Sequence, residues 1–171
     1  MASMKTKVVG GGSAAALLLA VPFIAGWEGK SNDPYKDIVG VTTVCYGETR
    51  VPMRRYTDQE CEAMLKEAVK GFMEPVLDLT PTLADRPYEL AAATSLAYNI
   101  GLQNYKISTV RKKFLSMDFK GACNGFGAWN KARRGGRLVV VKGLDNRRKD
   151  ETKLCLKGSL INSGTTSSAV S

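Results

Sequence analysis

From Val8 to Trp27 the chain runs for twenty residues without a charge, and its first acid, Glu28, stands at the end of that run. At the helical rise such a stretch is about 30 Å long, the thickness of a bilayer's hydrocarbon core. Lys5 and Lys7 precede it, a placement that keeps an N-terminus inside and exports the chain beyond the apolar run. A cleaved leader needs a small-residue cleavage site, of which "FIAGW" is a poor version. The alternative is an uncleaved anchor, and a weak one. "GGGSAAA" is barely hydrophobic and Pro22 interrupts the rest, so residence in lipid rests on Leu, Ile, Phe and Val residues at about −0.3 to −0.6 kcal/mol each. A segment held so marginally is able to leave the bilayer.

The remaining composition narrows the chemistry. With 171 residues, 44% of them hydrophobic, the chain makes one domain with a real core. Lys and Arg number 25 against 16 acids, a net charge of +9, so an anionic partner is expected: nucleic acid, an anionic membrane surface or a cell-wall polymer. The basic clusters "RKK", "KARRGGR" and "NRRK" invite a nucleic-acid reading, but an exported chain seldom meets DNA, and no nucleic-acid partner is expected. There is no His, which removes Ser-His-Asp and Cys-His catalysis and the commonest zinc sites. No metal or cofactor is expected, and carboxylates inherit any catalysis. Cys45, Cys61, Cys123 and Cys155 lack CxxC spacing. Their even number suggests two disulfides in an oxidising compartment, with three pairings open.

Past Trp27 the pattern divides. Tyr35 to Gly47 is rich in Val, Ile, Thr and Tyr and punctuated by Asp33-Pro34, Gly40 and Gly47, which reads as a short hairpin. "TDQECEAMLKEAVKGFMEPV" opens with Thr57 and Glu60 in capping-box spacing, and Cys61, Met64, Leu65, Ala68, Val69 and Phe72 recur at helical intervals. "ELAAATSLAYNIG", apolar nearly all round and stopped by Gly101, reads as the central helix. Shorter helices are expected around 108–115, 119–129 and 145–156, with "RRGGR" as a break. The Ser- and Thr-rich "SLINSGTTSSAVS" is expected to be disordered.

Glu28, Asp37 and Thr43 form the candidate chemistry, an acid before the β-rich stretch, an acid in it and a hydroxyl further on. Cleavage of a glycosidic bond needs one protonated acid behind the leaving oxygen and one carboxylate across the sugar ring, with groups that hold water. A Glu beside Trp27 at the apolar edge of a helix is expected to keep its proton near neutrality, while Asp37 stays ionised.

The letters around these residues, "WEG", "PYKDIVGVTTVCYGET", "LAYNIG" and "GLDNRRKDETKLC", resemble the phage-type lysozymes, the family 24 glycoside hydrolases that bacteriophages use as endolysins. The resemblance covers about residues 26–158. The basic N-terminus and the Gly/Ala-rich run are similar to the subgroup with a signal-arrest-release segment found in lambdoid phages. It implies an α+β, lysozyme-like fold: a small β-hairpin subdomain and a larger helical lobe with the glycan between them, preceded by an N-terminal hydrophobic helix. Residues 1–27 would be the releasable transmembrane segment, 28–158 the catalytic domain and 159–171 a tail. The implied activity is hydrolysis, with inversion, of the β-1,4 bond between N-acetylmuramic acid and N-acetylglucosamine in peptidoglycan, leading to lysis of the host. The implied roles are Glu28 as general acid, Asp37 as the carboxylate that orients or activates water, and Thr43 as its helper. Tyr98 and Asn99 correspond to cleft-lining positions, and Arg147 to a basic residue near the catalytic Glu; the bland reading is that Tyr98 is core and Arg147 a cap or surface pair. The implied disulfides are Cys45 with Cys61 and Cys123 with Cys155. Some anchored relatives carry Cys in place of the Asp and switch by disulfide exchange. With Asp at 37 and no Cys before Cys45, that switch is unavailable here.

The expected partners are peptidoglycan and, through residues 8–27, the host inner membrane, from which a monomer is released to the periplasm. While anchored, the enzyme is expected to be inactive; once released, the segment packs on the lobe. A chain lacking residues 1–25 is expected to be active without a trigger. Two other readings stand beside this one, a lytic transglycosylase that closes an anhydro ring instead of admitting water, and a membrane-anchored wall-binding module without catalysis.

Overall fold

The first helix of the protein is not set apart from the rest. In a computed structural model that describes residues 11–165, α1 (Gly11–Trp27) packs against α3 (Pro87–Ile100) and α2 (Asp58–Leu79). Its buried residues fall four apart, Ala16, Ala20 and Ile24, all with no exposed surface. Gly12 continues the row, and a Cβ there would stand 2.1 Å from the Ala84 carbonyl oxygen. The small residues thus face inwards, while Leu18 is 79% exposed. No helix among the described residues is long and apolar enough to cross a membrane.

α1 therefore belongs to the core of the helical lobe. Removing residues 1–25 would take out Ala16, Ala20 and Ile24 and bare the faces of α2 and α3 they cover, so a chain without them is expected to lose part of its fold.

The helices of the lobe follow the periodicity of the sequence. α2 begins in the capping box, with the Glu60 N–H donating to Thr57 Oγ1 at 3.1 Å and the Thr57 N–H to Glu60 Oε2 at 2.8 Å, contacts worth about 1 kcal/mol together. Its apolar residues divide into two rows. Cys61, Leu65, Val69, Met73 and Val76 enter the core, while Met64, Ala68 and Phe72 stay half-buried beside them. α3 is the central helix, buried without interruption from Glu89 to Ala97 and ended by Gly101 at φ +89°, a conformation that glycine adopts without strain.

Around this lobe lie α4 (Leu102–Ile107), α5 (Thr109–Leu115), α6 (Phe119–Asn124) and α7 (Lys142–Thr165). The helix expected over 119–129 splits at Gly125 into α6 and a short 3-10 turn, Phe126–Trp129. α7 starts three residues before the expected Asp145 and runs on to Thr165, so residues 159–165 of the expected disordered tail are helical. The rest of the tail, 166–171, lies outside the described residues. α7 overruns because Leu160 and Ile161, though exposed, extend a helix already held by its buried Arg147, Arg148, Glu151, Leu154 and Cys155.

Two antiparallel hairpins complete the fold. β1 (Ser31–Lys36) pairs with β2 (Thr42–Cys45), with Tyr35 opposite Thr43 and an irregularity between Ser31 and Tyr35. The strand starts before the expected Tyr35 because that irregularity accommodates Pro34, which cannot donate to a regular ladder. β3 (Lys131–Arg134) and β4 (Arg137–Val140) pair in register around Gly135 and Gly136, both at positive φ. This hairpin replaces the simple break read at "RRGGR".

Cys45 is bonded to Cys61 and Cys123 to Cys155, the pairing that the family resemblance implied. The first ties β2 to α2 and the second α6 to α7. Replacing Cys123 and Cys155 together by Ala is expected to cost roughly 3–4 kcal/mol, from the entropy that the cross-link removes from the unfolded chain across 32 residues. Urea melts of the variant against wild type check this.

Candidate active site

Glu28 is placed by α1 and held by α7. Its N–H donates to the Ile24 carbonyl at 3.0 Å, extending the last turn of α1, and its Oε1 accepts from Arg147 Nη1 at 2.8 Å. Arg147 is itself almost fully buried. Its Nε lies 3.3 Å from Glu151 Oε1, and Glu151 Oε1 also accepts from Ser95 Oγ at 2.6 Å and Arg148 Nη2 at 2.8 Å. The end of α1, the middle of α3 and the first half of α7 thus meet in one charged network around Glu28. Breaking such a network from inside, by removing Glu151, leaves the buried Arg148 without its acid partner. The amino-acid sequence suggests an apolar surround for Glu28 beside Trp27. The structure instead sets the Arg147 guanidinium against it, and Trp27 lines a separate hollow of 480 Å³ between α1 and α7 with Phe23 and Leu154.

Asp37 stands just past β1, where the chain turns. Its Oδ1 accepts from the N–H groups of Val39 at 3.0 Å and Val41 at 2.9 Å, so the turn fixes the carboxylate, and Gly40 at φ +82° lets the turn close. Thr43, on β2, is 3% exposed, and its hydroxyl oxygen is buried without a hydrogen-bond partner among the described residues. Buried hydroxyls are seldom left so in folded proteins, and a site that holds water or ligand is one reason for it.

Tyr98 closes the other side. It is half-buried, its ring 5.0 Å from that of Phe72, and the two line a cleft of 720 Å³ together with Met64 and Ala68 of α2 and with Glu48 and Arg50 beyond β2. The half-buried row of α2 is therefore the wall of a cleft. Burial, then the charges of Glu28 and Glu48, push the Tyr98 hydroxyl above its ordinary pKa, against the weaker pull of Arg147.

Of the residues singled out in the sequence, Arg147 is brought against Glu28, and Tyr98 both packs against the core and lines the cleft. Asn99 is exposed on the last turn of α3 and is not among the residues lining the cleft. Sequence reasoning missed Glu151, Arg148 and Ser95, which position Arg147, and Glu48, whose only signal was its place in "CYGET". No group of three Cys, Asp or Glu side chains able to hold a metal occurs among the described residues.

A hairpin lobe carrying one acid, a helical lobe carrying another on a buried arginine, and a cleft with an aromatic wall define a lysozyme-like protein. The phage lysozyme family model matches residues 25–151, and the chain belongs to that family. It is 38% identical over 158 residues to the SAR-endolysin of Enterobacteria phage P21, covering 88% of this chain and 92% of that one. Among solved structures it is similar to the endolysin from Escherichia coli O157:H7 phage FAHEc1, with a TM-score of 0.72 and 29% identity over 80% of this chain and 90% of that one. The active form of the P1 phage endolysin Lyz is also similar, with a TM-score of 0.69 and 25% identity over 84% of each chain.

Proposed function

We propose that this chain is a phage endolysin that hydrolyses the β-1,4 bond between N-acetylmuramic acid and N-acetylglucosamine in peptidoglycan, acting as a monomer. Glu28 protonates the leaving oxygen. Asp37, held by its turn through Oδ1, orients and deprotonates the attacking water, and the Thr43 hydroxyl, without a partner among the described residues, helps to hold that water. The observation that carries this reading is the Glu28–Arg147 contact. It fixes a carboxyl group at the junction of the lobes, where a general acid for glycoside cleavage is needed.

The same contact supports control by membrane release. Glu28 is the residue after α1, and it reaches Arg147 only while α1 lies on α3. A helix inserted in lipid cannot also fill that core. With residues 8–27 in the inner membrane, Glu28 is held at the bilayer surface away from Arg147 and the enzyme is inactive; on release to the periplasm α1 docks and the site assembles. The docked row of small residues fits a segment that lipid holds weakly.

Product analysis on purified peptidoglycan tests the chemistry. Reducing ends of inverted anomeric configuration are expected. Anhydro ends would establish the transglycosylase reading instead, and binding without cleavage would leave only a wall-binding module.

A further inference from the structure

The cleft wall carries two acids, Glu48 and Glu67, against one base, Arg50. The chain carries a net charge of +9, yet at Tyr98 the charges of Glu28 and Glu48 outweigh that of Arg147. Glu48 is fixed there by its backbone, whose N–H donates to the Val44 carbonyl at 2.8 Å and whose carbonyl accepts from the Val44 N–H at 3.0 Å, Val44 being fully buried. Its side chain is half-buried and makes no hydrogen bond or ion pair among the described residues. Arg50 lines the same cleft without pairing with it. Glu67, the other acid of the lining, lies 3.6 Å from Lys70 and is largely exposed.

A half-buried carboxylate without a cation is under-compensated, and a cation arriving from outside gains more from it than a neutral donor does. The Phe72–Tyr98 pair adds two aromatic rings, whose faces attract cations and only weakly attract amides. We propose that Glu48 and the Phe72–Tyr98 rings form a subsite that receives a primary ammonium group of the wall polymer and biases the enzyme towards strands that carry free amines. This rests on the reading of the chain as a peptidoglycan hydrolase. Two parts of the polymer offer that chemistry, the 2-amino group of a glucosamine without its acetyl and the free side-chain amine of a diamino acid in the stem peptide.

Equilibrium binding to the full chain carrying Glu28→Gln, which prevents turnover, separates these sources. The probes are glucosamine tetramer against its fully N-acetylated form, and stem peptide with a free amine against the same peptide acetylated. At least one amine-bearing probe is expected to bind about fivefold to tenfold more tightly than its acetylated partner, and adding Glu48→Gln erases that difference. The pair that discriminates identifies the source. Equal binding within both pairs, or a preference that survives Glu48→Gln, overturns the subsite. Failure of the wild-type chain to cleave any peptidoglycan would instead overturn the hydrolase reading, and the binding comparison would still decide the role of Glu48.

Discussion

Glu28→Gln is expected to lower the rate of peptidoglycan hydrolysis by about 10²–10⁴-fold, the usual worth of a positioned acid, while the protein still folds. Glutamine keeps an oxygen that can accept from Arg147 Nη1, and Arg147 retains its contacts with Glu151 and Ser95, so the substitution removes a proton donor without emptying space. Turbidity loss of wall suspensions measures the first half of this expectation and circular dichroism the second. Wild-type turnover in a folded Glu28→Gln protein would sink the assignment. Changing Arg147 is a poorer test. Arg147 joins Glu28, Ser95 and Glu151, so its removal takes one of two cations from the fully buried Glu151 and confounds chemistry with stability.

Legibility in the sequence divides along the range of the interactions. The capping box of α2, the Gly101 stop of α3 and the turn at Gly40 are encoded within a few neighbouring residues, and all three were legible. The β3–β4 hairpin was not, because β3 reads KARR and β4 reads RLVV, neither of which alternates apolar with polar residues, and the turn glycines alone look like any break. Glu28 and Arg147 stand 119 residues apart. No spacing rule reaches so far, and their meeting was available only through the family resemblance. Glu48 was invisible for a related reason, since its character depends on which side chains fail to approach it. α1 shows a different limit. A run that is apolar all round suits lipid and a protein core equally, and only the position of Gly12 against Ala84 and of Ala16, Ala20 and Ile24 in the core shows how it packs.

Gly12 offers the sharpest test of that double character. Leucine at position 11 or 12 adds about 0.3–0.6 kcal/mol of favourable insertion by its own contribution, so both variants are expected to shift the chain towards the membrane fraction to a similar extent. They differ after release. A Cβ at Gly11 meets nothing within 4 Å, whereas one at Gly12 would stand 2.1 Å from the Ala84 oxygen, a backbone atom that no flexible side chain can move aside. α1 of Gly12→Leu must therefore dock displaced, at a cost of about 1–3 kcal/mol, as overpacked cores show. Glu28, one residue beyond α1, is carried with it away from Arg147. Protein recovered in the soluble fraction should then melt lower for Gly12→Leu, by roughly 2–4 °C for each kcal/mol lost, and have reduced hydrolytic activity, while soluble Gly11→Leu melts and cleaves like wild type. If soluble Gly12→Leu matches Gly11→Leu in both melting and activity, docking of α1 does not assemble the site, and the N-terminal segment serves only to hold the chain at the membrane.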